Sequence, residues 1–529
     1  MADRPCYTRS ARSVMRSANG MVAASQPLAA AAGLKVMMDG GNAFDAAVAA
    51  AGVLGVVEPF MTGVGGDVFA LAWDAKRQEL VGLNGSGRSG RNADSEHLRR
   101  LGYRAMPKHG PHTVTVPGAV DAWCALVERY GTMDMKTLLH PAIGYARDGF
   151  PVSEIIAEQW RLAAPVLMAC PDATRTFLKD GRAPHAGEMW ANPHLAKTYR
   201  FIAEGGRQAF YESSIAQEIC RCVQEAGGPL VPEDFHEHGS EWVKPLCTTY
   251  RGHEVYELPP NGQGATVLEM LNILEGYDVA SMGHNSAELI HLLIEAKKIA
   301  FSDRDAYIAD PAFYTSPVDM VSKDYAAMIR QEIDPQRARP SDSSTLGSSD
   351  TVYLSVVDKS GNAVSFINSI YEKFGSGLVA GDTGIVLQDR GALFSLDPGH
   401  PNRLEPRKRP LHTIIPAMVM KQGHPWFCFG VMGGHMQPQG HVQVLLNIVD
   451  FGMNVQEAGE APRVCHTPDG AAVESGIRPD VVMRLIEKGH RVIHAVDVFG
   501  GYQGIMIDPE TGTLAGGSDP RKDGCAIGY

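Results

Sequence analysis

A strand-like pattern of hydrophobic and polar residues begins abruptly at Thr351, about two thirds of the way along the chain. It follows a polar run, RARPSDSSTLGSSD, and it reads TVYLSVV, in which β-branched and aromatic residues typical of strands predominate. The next residues, DKSGN, include Gly361 and predict a turn, and AVSFINSI predicts the return strand. The pattern therefore predicts a β-hairpin that starts at Thr351.

The length of the turn predicts which residues of the hairpin face each other. If the turn is centred on Ser360 and neither strand has a bulge, Val357 faces Ala363. The same register places Thr351 opposite Ser369, and a bulge would shift it by one residue. The pattern thus predicts that the hydroxyl group of Ser369 lies beside Thr351.

Helical periodicity dominates the chain before this hairpin. Pro27 suits the first turn of a helix, and Asn42 suits the N-terminal cap of the next one. A glycine-rich loop, TGVGGD, then precedes the predicted strand 68–73, whereas a phosphate-binding loop follows a strand and opens a helix. Segments from about residue 117 to 330 have mainly helical patterns, and 334–350 has the composition of a linker. Helices followed by a strand-rich part predict an α+β layered fold or two subdomains.

Composition narrows the classes of function. The 529 residues are 44 % hydrophobic and 20 % charged, and the net charge of −12 without a basic stripe argues against nucleic-acid and anionic membrane partners. No segment reaches the roughly 18 apolar residues of a membrane span, and the N-terminus lacks the apolar core of a secretory signal. The nine cysteines are scattered, with Cys220 and Cys222 the only close pair, which predicts reduced thiols in a cytoplasmic protein.

Two interpretations of Thr351 follow from its place at the start of a strand. Within an intact chain it is an ordinary strand residue. If the chain is cleaved between Asp350 and Thr351, the threonine gains a free α-amine with a pKa of about 7.7–8.0. Enough of that amine is neutral at neutral pH to accept the proton of the residue's own hydroxyl group, so one residue supplies both nucleophile and base. The polar run before Thr351 suits a severed tail.

Five longer segments carry a family resemblance. They read GMVAASQPLAAAAGLKVMMDGGNAFDAAVAA, TVPGAVDAW, NPHLAKTYRFIAEGG, YELPPNGQGATVLEMLNIL and SFINSIYEKFGSGLVAGDTGIVLQ. Through these segments the chain resembles the γ-glutamyltransferase family of N-terminal-nucleophile hydrolases over nearly its whole length. Long ordered matches of this kind are far more specific than a single short motif.

The resemblance implies a four-layer αββα fold of the α+β class. It also implies a precursor that cleaves itself between Asp350 and Thr351 into a large subunit, 1–350, and a small subunit, 351–529. The large subunit is expected to be mainly helical, to contribute to the sheets and to end in a flexible tail over about 334–350. The implied partners are a small-molecule amide substrate and the two subunits themselves, with a homodimer left open. No metal or organic cofactor is implied.

The resemblance also implies roles for two hydroxyl residues and two glycines. Thr351 stands where the family has its nucleophile, and Ser369 stands where it has a second hydroxyl residue, usually threonine. Gly433 and Gly434 match the paired glycines whose amides form the family's oxyanion hole. They lie between a predicted strand, WFCFGVM, and a predicted helix, GHVQVLLNIV, where N–H groups can converge on a developing negative charge. A tight turn that needs small residues is the other interpretation.

Candidates for substrate binding follow from the same resemblance. Arg88 falls where the family uses an arginine to hold the α-carboxylate of the substrate, a task that suits a bidentate guanidinium group. Arg91 is a nearby competitor for this role. Asp397 and Asn402 are further candidates, although their turn, rich in proline and glycine, also suits a structural role.

The chain departs from the family's sequence at the positions that recognise the free amino group of a γ-glutamyl substrate. Counted without gaps, the corresponding positions fall on Arg390 and Leu393. Neither side chain can hold an ammonium ion, and the arginine would repel it. His412 and Thr413 stand in place of paired serines, and Tyr371 replaces an asparagine near the nucleophile. The chain therefore keeps the residues for cleavage and acyl transfer but has an altered acyl pocket.

Two histidines in the segment MGGHMQPQGH raise the question of a metal site. His435 and His441 are six residues apart, and Pro438 interrupts their spacing. No acidic residue or third histidine lies close to them in sequence, so we predict hydrogen-bonded histidines and no metal.

These observations predict an amide hydrolase that acts through a threonyl ester. The segments RGALFSLDP and MGGHMQPQGH resemble the branch of the family with oxamate-amidohydrolase-like and cephalosporin-acylase-like members. In that case Arg88 and Arg390 are expected to clamp a substrate with two anionic ends, or a short acid amide. Two alternatives stay open: a true γ-glutamyltransferase or glutathione hydrolase, and an uncleaved relative that binds small acids without activity.

Overall fold

A computed structural model of the protein describes residues 10–340 and 351–529. Asp350 and Cys6 lie outside the described residues. The strands within these ranges, β1 to β19, are Met15–Ser17, Met21–Ala24, Asp67–Asp74, Glu79–Gly85, Phe150–Pro151, Met189–Trp190, Glu241–Val243, Leu246–Tyr250, His253–Glu257, Val352–Val357, Ala363–Ser369, Ala417–Lys421, His424–Met432, Val464–Thr467, Gly470–Val473, Val492–Ile493, Gly501–Ile507, Leu514–Ser518 and Cys525–Gly528.

The α-helices within the same ranges are named α1 to α17. They are Pro27–Met38, Ala43–Val57, Ser95–Arg100, Ala119–Tyr130, Met135–Asp148, Glu154–Leu167, Pro171–Phe177, Pro193–Tyr211, Ser214–Glu225, Pro232–His236, Gly264–Leu274, Val279–Met282, Ala287–Tyr307, Lys323–Ile329, Met436–Val449, Val455–Glu460 and Pro479–Glu487.

Two seven-stranded sheets form the centre of the molecule. The first has the order β19-β2-β10-β11-β3-β4-β7, and the second has the order β1-β18-β17-β13-β12-β9-β8. Neighbouring strands in both sheets are antiparallel. Each sheet contains strands from before and after residue 350, so the fold is layered and is not divided into two subdomains at that point.

The hydrophobic core has three layers, one between the sheets and one on each outer face. Phe69, Tyr353 and Cys428 are among the buried residues between the sheets. Helices α1, α2 and α4 cover the outer face of the first sheet, and α11 and α15 cover that of the second. Helix α2 is rich in alanine and valine and is buried along its whole length, which suits a helix enclosed between a sheet and other helices. The expected four-layer αββα arrangement is confirmed.

The hairpin has the predicted register. Strands β10 and β11 pair from Val352 with Asn368 to Val357 with Ala363, without a bulge. The ladder begins one residue later than predicted, because Thr351 itself precedes β10. The N-terminal helix signals are also confirmed, since Pro27 begins α1 and the Asn42 side chain caps α2.

The predicted linker is described only in part. Residues 334–340 pack against the protein, with the Asp334 carbonyl oxygen 2.8 Å from Nε2 of His291 and the Ala338 amide donating to the Lys488 carbonyl oxygen. Residues 341–350 lie outside the described ranges. The cysteines within the described ranges form no disulfide, and no helix there is long and apolar enough to cross a membrane.

Candidate active site

Thr351 and Ser369 form the centre of a buried polar cluster. Both side chains are buried, and Oγ1 of Thr351 donates a hydrogen bond of 3.1 Å to Oγ of Ser369. The hairpin register accounts for this contact, because Thr351 precedes β10 and Ser369 ends β11. The Ser369 oxygen also accepts hydrogen bonds from the Tyr371 amide and from Nη2 of Arg390, each at 2.9 Å. The structure thus brings together four residues that the sequence singled out.

Arg390 connects two hydroxyl residues, Ser369 and Thr413, through its guanidinium group. Its Nη1 donates to Oγ1 of Thr413 at 2.7 Å while Nη2 donates to Ser369, and its guanidinium carbon lies 4.6 Å from the centre of the Tyr371 ring. Burial lowers the pKa of Arg390 to about 10, and the charge of Asp67 opposes this shift. The guanidinium group therefore remains charged at neutral pH and holds a positive charge beside Thr351 and Ser369.

Asp67 is a functional candidate that the sequence analysis missed. It begins β3 directly opposite Ser369, and its Oδ1 accepts from the amides of Gly87 and Gly118 and from Nε2 of Gln388. These donors satisfy a fully buried carboxylate, which would otherwise be very unfavourable. An acidic residue at the first position of the apolar strand DVFALAWD was the available signal.

The glycine-rich loop before Asp67 brings the backbone close to the cluster. A Cβ atom on Gly66 would collide with the carbonyl oxygen of Ser369. The loop therefore needs glycine for close approach of two backbones, and this explains a motif that resembled a phosphate-binding loop only in composition.

His412 supports Asp67. Its Nε2 lies 3.1 Å from Oδ2 of Asp67, and its Nδ1 accepts from the Ile414 amide at 3.3 Å. Burial and the charge of Arg390 lower the pKa of His412 to about 3, so the ring is neutral and its proton is on Nε2. Both ring nitrogens are used within the protein, and the ring packs 4.7 Å from that of Phe69. His412 and Thr413, both predicted to bind substrate, thus contact Asp67 and Arg390.

Acidification is expected to weaken the fold through His412. An unfolded histidine has a pKa near 6.5, whereas His412 in the fold has a pKa of about 3. Between these pH values the unfolded chain binds a proton that the folded protein does not, so the free energy of unfolding falls as the pH falls. The contribution is present above about pH 6.5, and roughly 3 kcal/mol of it is lost by about pH 4.5.

Urea unfolding of the wild type and of His412→Gln at about pH 7.5 and about pH 4.5 tests this expectation. Glutamine keeps a neutral donor for Asp67 but does not titrate. Other buried histidines with a lowered pKa, such as His238 and His441, contribute equally to both proteins. The variant should therefore lose less stability on acidification, and equal losses would contradict the assignment.

Gly433 and Gly434 lie where the oxyanion hole was predicted, between β13 and α15. Their φ angles are +116° and +54°, a backbone region that favours glycine. Neither amide donates to a protein acceptor within the described residues. Nε2 of Gln263 donates to the carbonyl oxygens of Thr413 and Gly434, which couples the glycines to the segment that holds Arg390.

Arg88 is not brought to this cluster through its side chain. The amide of its neighbour Gly87 reaches Asp67, but the Arg88 guanidinium group pairs with Glu241 at 2.8 Å and borders a separate cavity of about 180 Å³. Arg91 pairs with Asp234. The structure thus places Arg88 and Arg390 in different surroundings.

A larger cavity of about 760 Å³ lies next to the cluster. Tyr371 connects the two, since its amide donates to Ser369 and the residue lines the cavity. Leu393, Asp397 and Asn402 also line it. Asn402 has a structural role as well, because its side chain bonds the backbone of Leu393 and Leu411.

His441, considered above as a metal ligand, has protein partners at both ring nitrogens. Nδ1 of His441 lies 2.8 Å from the Glu257 carboxyl group, and its Nε2 accepts from a backbone amide. A different group of three buried side chains, His291, Glu295 and His490, has its potential ligand atoms within 4.8 Å of one another. The sequence pattern did not single out this group, in which Nδ1 of His291 is 2.7 Å from Nε2 of His490.

The four-layer αββα fold, together with its match to solved structures of that class, makes the protein an N-terminal-nucleophile hydrolase. Within this class the chain belongs to the gamma-glutamyltranspeptidase family, whose model matches residues 29–529. Enzymes of this family are hydrolases and transpeptidases, and the protein is an enzyme of that type.

Individual relatives extend over almost the whole chain. The glutathione hydrolase-like YwrD proenzyme of Bacillus subtilis is 42 % identical over 523 residues, which cover 96 % of this chain and 98 % of the relative. The oxamate amidohydrolase proenzyme of Klebsiella pneumoniae is 35 % identical over 528 residues, covering 97 % and 99 %. The crystal structure of cephalosporin acylase from Bacillus halodurans matches with a TM-score of 0.93 and 42 % identity, covering 100 % and 99 %.

Proposed function

We propose that the protein cleaves its own chain between Asp350 and Thr351 and then hydrolyses a small acid amide with Thr351 as nucleophile. The observation that carries this proposal is the hydrogen bond from Thr351 to Ser369, which Arg390 supports from the other side. A hydroxyl group held in this way, at the first residue after the proposed cleavage site, is in place before a free amine exists.

The reaction proceeds in two acyl-transfer steps. In the cleaved protein the α-amine of Thr351 accepts the hydroxyl proton while Oγ1 attacks the amide carbon of the substrate. The carbonyl oxygen becomes an oxyanion that accepts hydrogen bonds from the amides of Gly433 and Gly434. The C–N bond then breaks, the leaving amine takes the proton, and a threonyl ester remains. Water attacks this ester, releases the acid and restores the Thr351 hydroxyl group.

The charge of Arg390 favours an acyl group that carries an anion rather than an ammonium ion. The guanidinium group is buried, positive and in contact with Tyr371, which lines the adjacent cavity. Since like charges repel more strongly where water is excluded, a free α-amino group held next to Arg390 would be disfavoured. The cavity wall also has carboxylates, Asp305, Glu372 and Asp397, so this repulsion applies to the part of the cavity beside Tyr371 and Arg390. Leu393 offers the amino group no polar partner. The name of an oxamate amidohydrolase among the relatives agrees with a substrate that lacks the γ-glutamyl ammonium, whereas the glutathione hydrolases among them are named for a substrate that carries it.

Arg88 can contribute to substrate binding only under one condition. It can hold a substrate carboxylate only if it leaves Glu241, with which it forms a partly exposed ion pair. Exposed ion pairs contribute little stability, about 0–1 kcal/mol, so this exchange is energetically accessible.

A panel of amides tests the substrate class. We expect the cleaved enzyme to hydrolyse oxamate or succinamate with a kcat/KM at least about 10-fold above that for a γ-glutamyl anilide, because the charge of Arg390 disfavours the ammonium group. The ammonia or aniline released is measured, with Thr351→Ala as the blank.

Each rival function predicts a different result. A true glutathione hydrolase or γ-glutamyltransferase would prefer the γ-glutamyl anilide. An inactive small-acid binder would remain a single chain on a denaturing gel after long incubation and would hydrolyse none of the amides.

A further inference from the structure

His435 is a buried residue of the cavity wall that the proposed reaction leaves without a role. It follows Gly434 directly and precedes α15, and it is one of the residues that line the 760 Å³ cavity, together with Tyr371 and Leu411. Only 9 % of the residue is exposed. Its position places an imidazole ring beside both the oxyanion glycines and the space available to an acyl group.

Arg304 determines which nitrogen of His435 carries the proton. Nη1 of Arg304 lies 3.0 Å from Nδ1 of His435 and also 3.0 Å from Oε1 of Gln263. A guanidinium group only donates hydrogen bonds, so Nδ1 of His435 must be the acceptor. A neutral imidazole then has its proton on Nε2.

The ring is held in this neutral form. Burial lowers the pKa of His435 well below its usual value, and the positive charges of Arg304, Lys297 and Arg390 lower it further. At neutral pH His435 is therefore a donor through Nε2 and an acceptor through Nδ1, with one fixed tautomer.

The Nε2–H group has no hydrogen-bond partner within the described residues, although it is buried. A buried donor without a partner is destabilising, and folded proteins usually avoid it. Here Nδ1 of the same ring accepts a hydrogen bond from Arg304, which fixes the orientation of the ring. The Nε2–H donor is left without a partner within the described residues. An unpaired donor on a fixed ring in a cavity wall is suited to bind an acceptor that arrives with a ligand. Because Nε2 itself is buried, the acceptor reaches it by displacing neighbouring atoms of the wall.

We propose that Nε2–H of His435 binds a second carbonyl or carboxylate oxygen on the acyl part of the substrate, beyond the amide that is cleaved. This inference rests on the proposed amidohydrolase function and makes His435 a specificity-determining residue. The donor recognises an oxygen acceptor and offers nothing to an ammonium group, and this agrees with the selectivity expected from Arg390. The substrate class is thereby narrowed to amides of dicarboxylic or oxo acids.

Two variants of His435 separate its donor from its acceptor. The amide oxygen of asparagine can replace Nδ1 as acceptor for Arg304, but its side chain ends before the position of Nε2. Glutamine reaches that position with an N–H donor but lacks the acceptor for Arg304. His435→Asn should therefore lose the substrate contact, and His435→Gln should keep much of it.

The measurement compares succinamate with butyramide, which has the same number of carbon atoms but no carboxylate. In His435→Asn we expect kcat/KM for succinamate to fall about 10- to 100-fold, mainly through KM, while that for butyramide changes less than about 3-fold. His435→Gln should retain more succinamate turnover than His435→Asn. All variants should still be cleaved at residue 350, as shown on a denaturing gel.

Two outcomes would overturn the inference. Unchanged succinamate turnover in His435→Asn would do so, and an equal loss for both amides would indicate a role in holding the glycines instead. These results are distinct from failure of the proposed function, in which the wild type itself remains uncleaved or hydrolyses neither amide.

Discussion

Replacing Thr351 with alanine is expected to leave the chain whole and to abolish amide hydrolysis. Both steps need an oxygen nucleophile at residue 351, and alanine has none. The fold should persist, because the side chain contributes a hydrogen bond to Ser369 whose loss costs about 1 kcal/mol. Denaturing gels with N-terminal sequencing of the fragments measure cleavage, ammonia release from succinamate measures hydrolysis, and a thermal melt measures stability. The wild type should yield a fragment that begins TVYLSVV.

Thr351→Ser is the matched control for this prediction. Serine keeps the hydroxyl group and the hydrogen bond to Ser369 but loses the methyl group, so cleavage and turnover should survive at a reduced rate. If Thr351→Ala still hydrolysed amides, or if no chain end ever appeared at residue 351 in an active wild type, the nucleophile would have to lie elsewhere.

Replacing Arg390 with methionine is the second change with a large expected effect. Methionine has a similar length but cannot donate to Ser369 and Thr413, and it removes the positive charge that accompanies buried Asp67. Loss of one member of a buried charged group typically costs about 3–5 kcal/mol of stability. Because Ser369 then loses the donor that orients it towards Thr351, turnover per folded molecule should fall about 100-fold or more.

Arg463→Met provides a control for the general cost of removing a buried arginine. Arg463 is also fully buried, has a pKa lowered to about 10, and pairs with Asp519. Urea unfolding should show a comparable loss of stability in the two variants, whereas only Arg390→Met should lose turnover per folded molecule at low urea. If the two variants had a similar turnover per folded molecule, Arg390 would have no specific role in the reaction.

Local signals made part of the site predictable. The position of Ser369 beside Thr351 depends on a single hairpin, whose register follows from the length of its turn. Gly433 and Gly434 lie at a strand-to-helix junction that the hydrophobic pattern marks on both sides. Such features need only a few neighbouring residues, so the sequence contains the information directly.

The remaining part of the site depends on contacts between distant segments. Asp67 and His412 are 345 residues apart, and Arg304 and His435 are 131 apart. Nothing in the local pattern around either member indicates its partner, because both pairs form only when the sheets and helices assemble. The same limit explains Arg88, whose place in a glycine-rich loop did not reveal that its side chain would pair with Glu241.

Strands from before and after residue 350 lie side by side in both sheets, and this has a consequence if the chain is cleaved there as proposed. In the first sheet β10 and β11 are flanked by β2 and β3, and in the second β12 is joined to β9 and β18 to β1. Either fragment alone would expose strand edges with unpaired backbone N–H and C=O groups, which strands of the other fragment normally pair with. Cleavage would therefore create a new chain terminus without releasing either fragment. The new α-amine would form in a protein that is already folded.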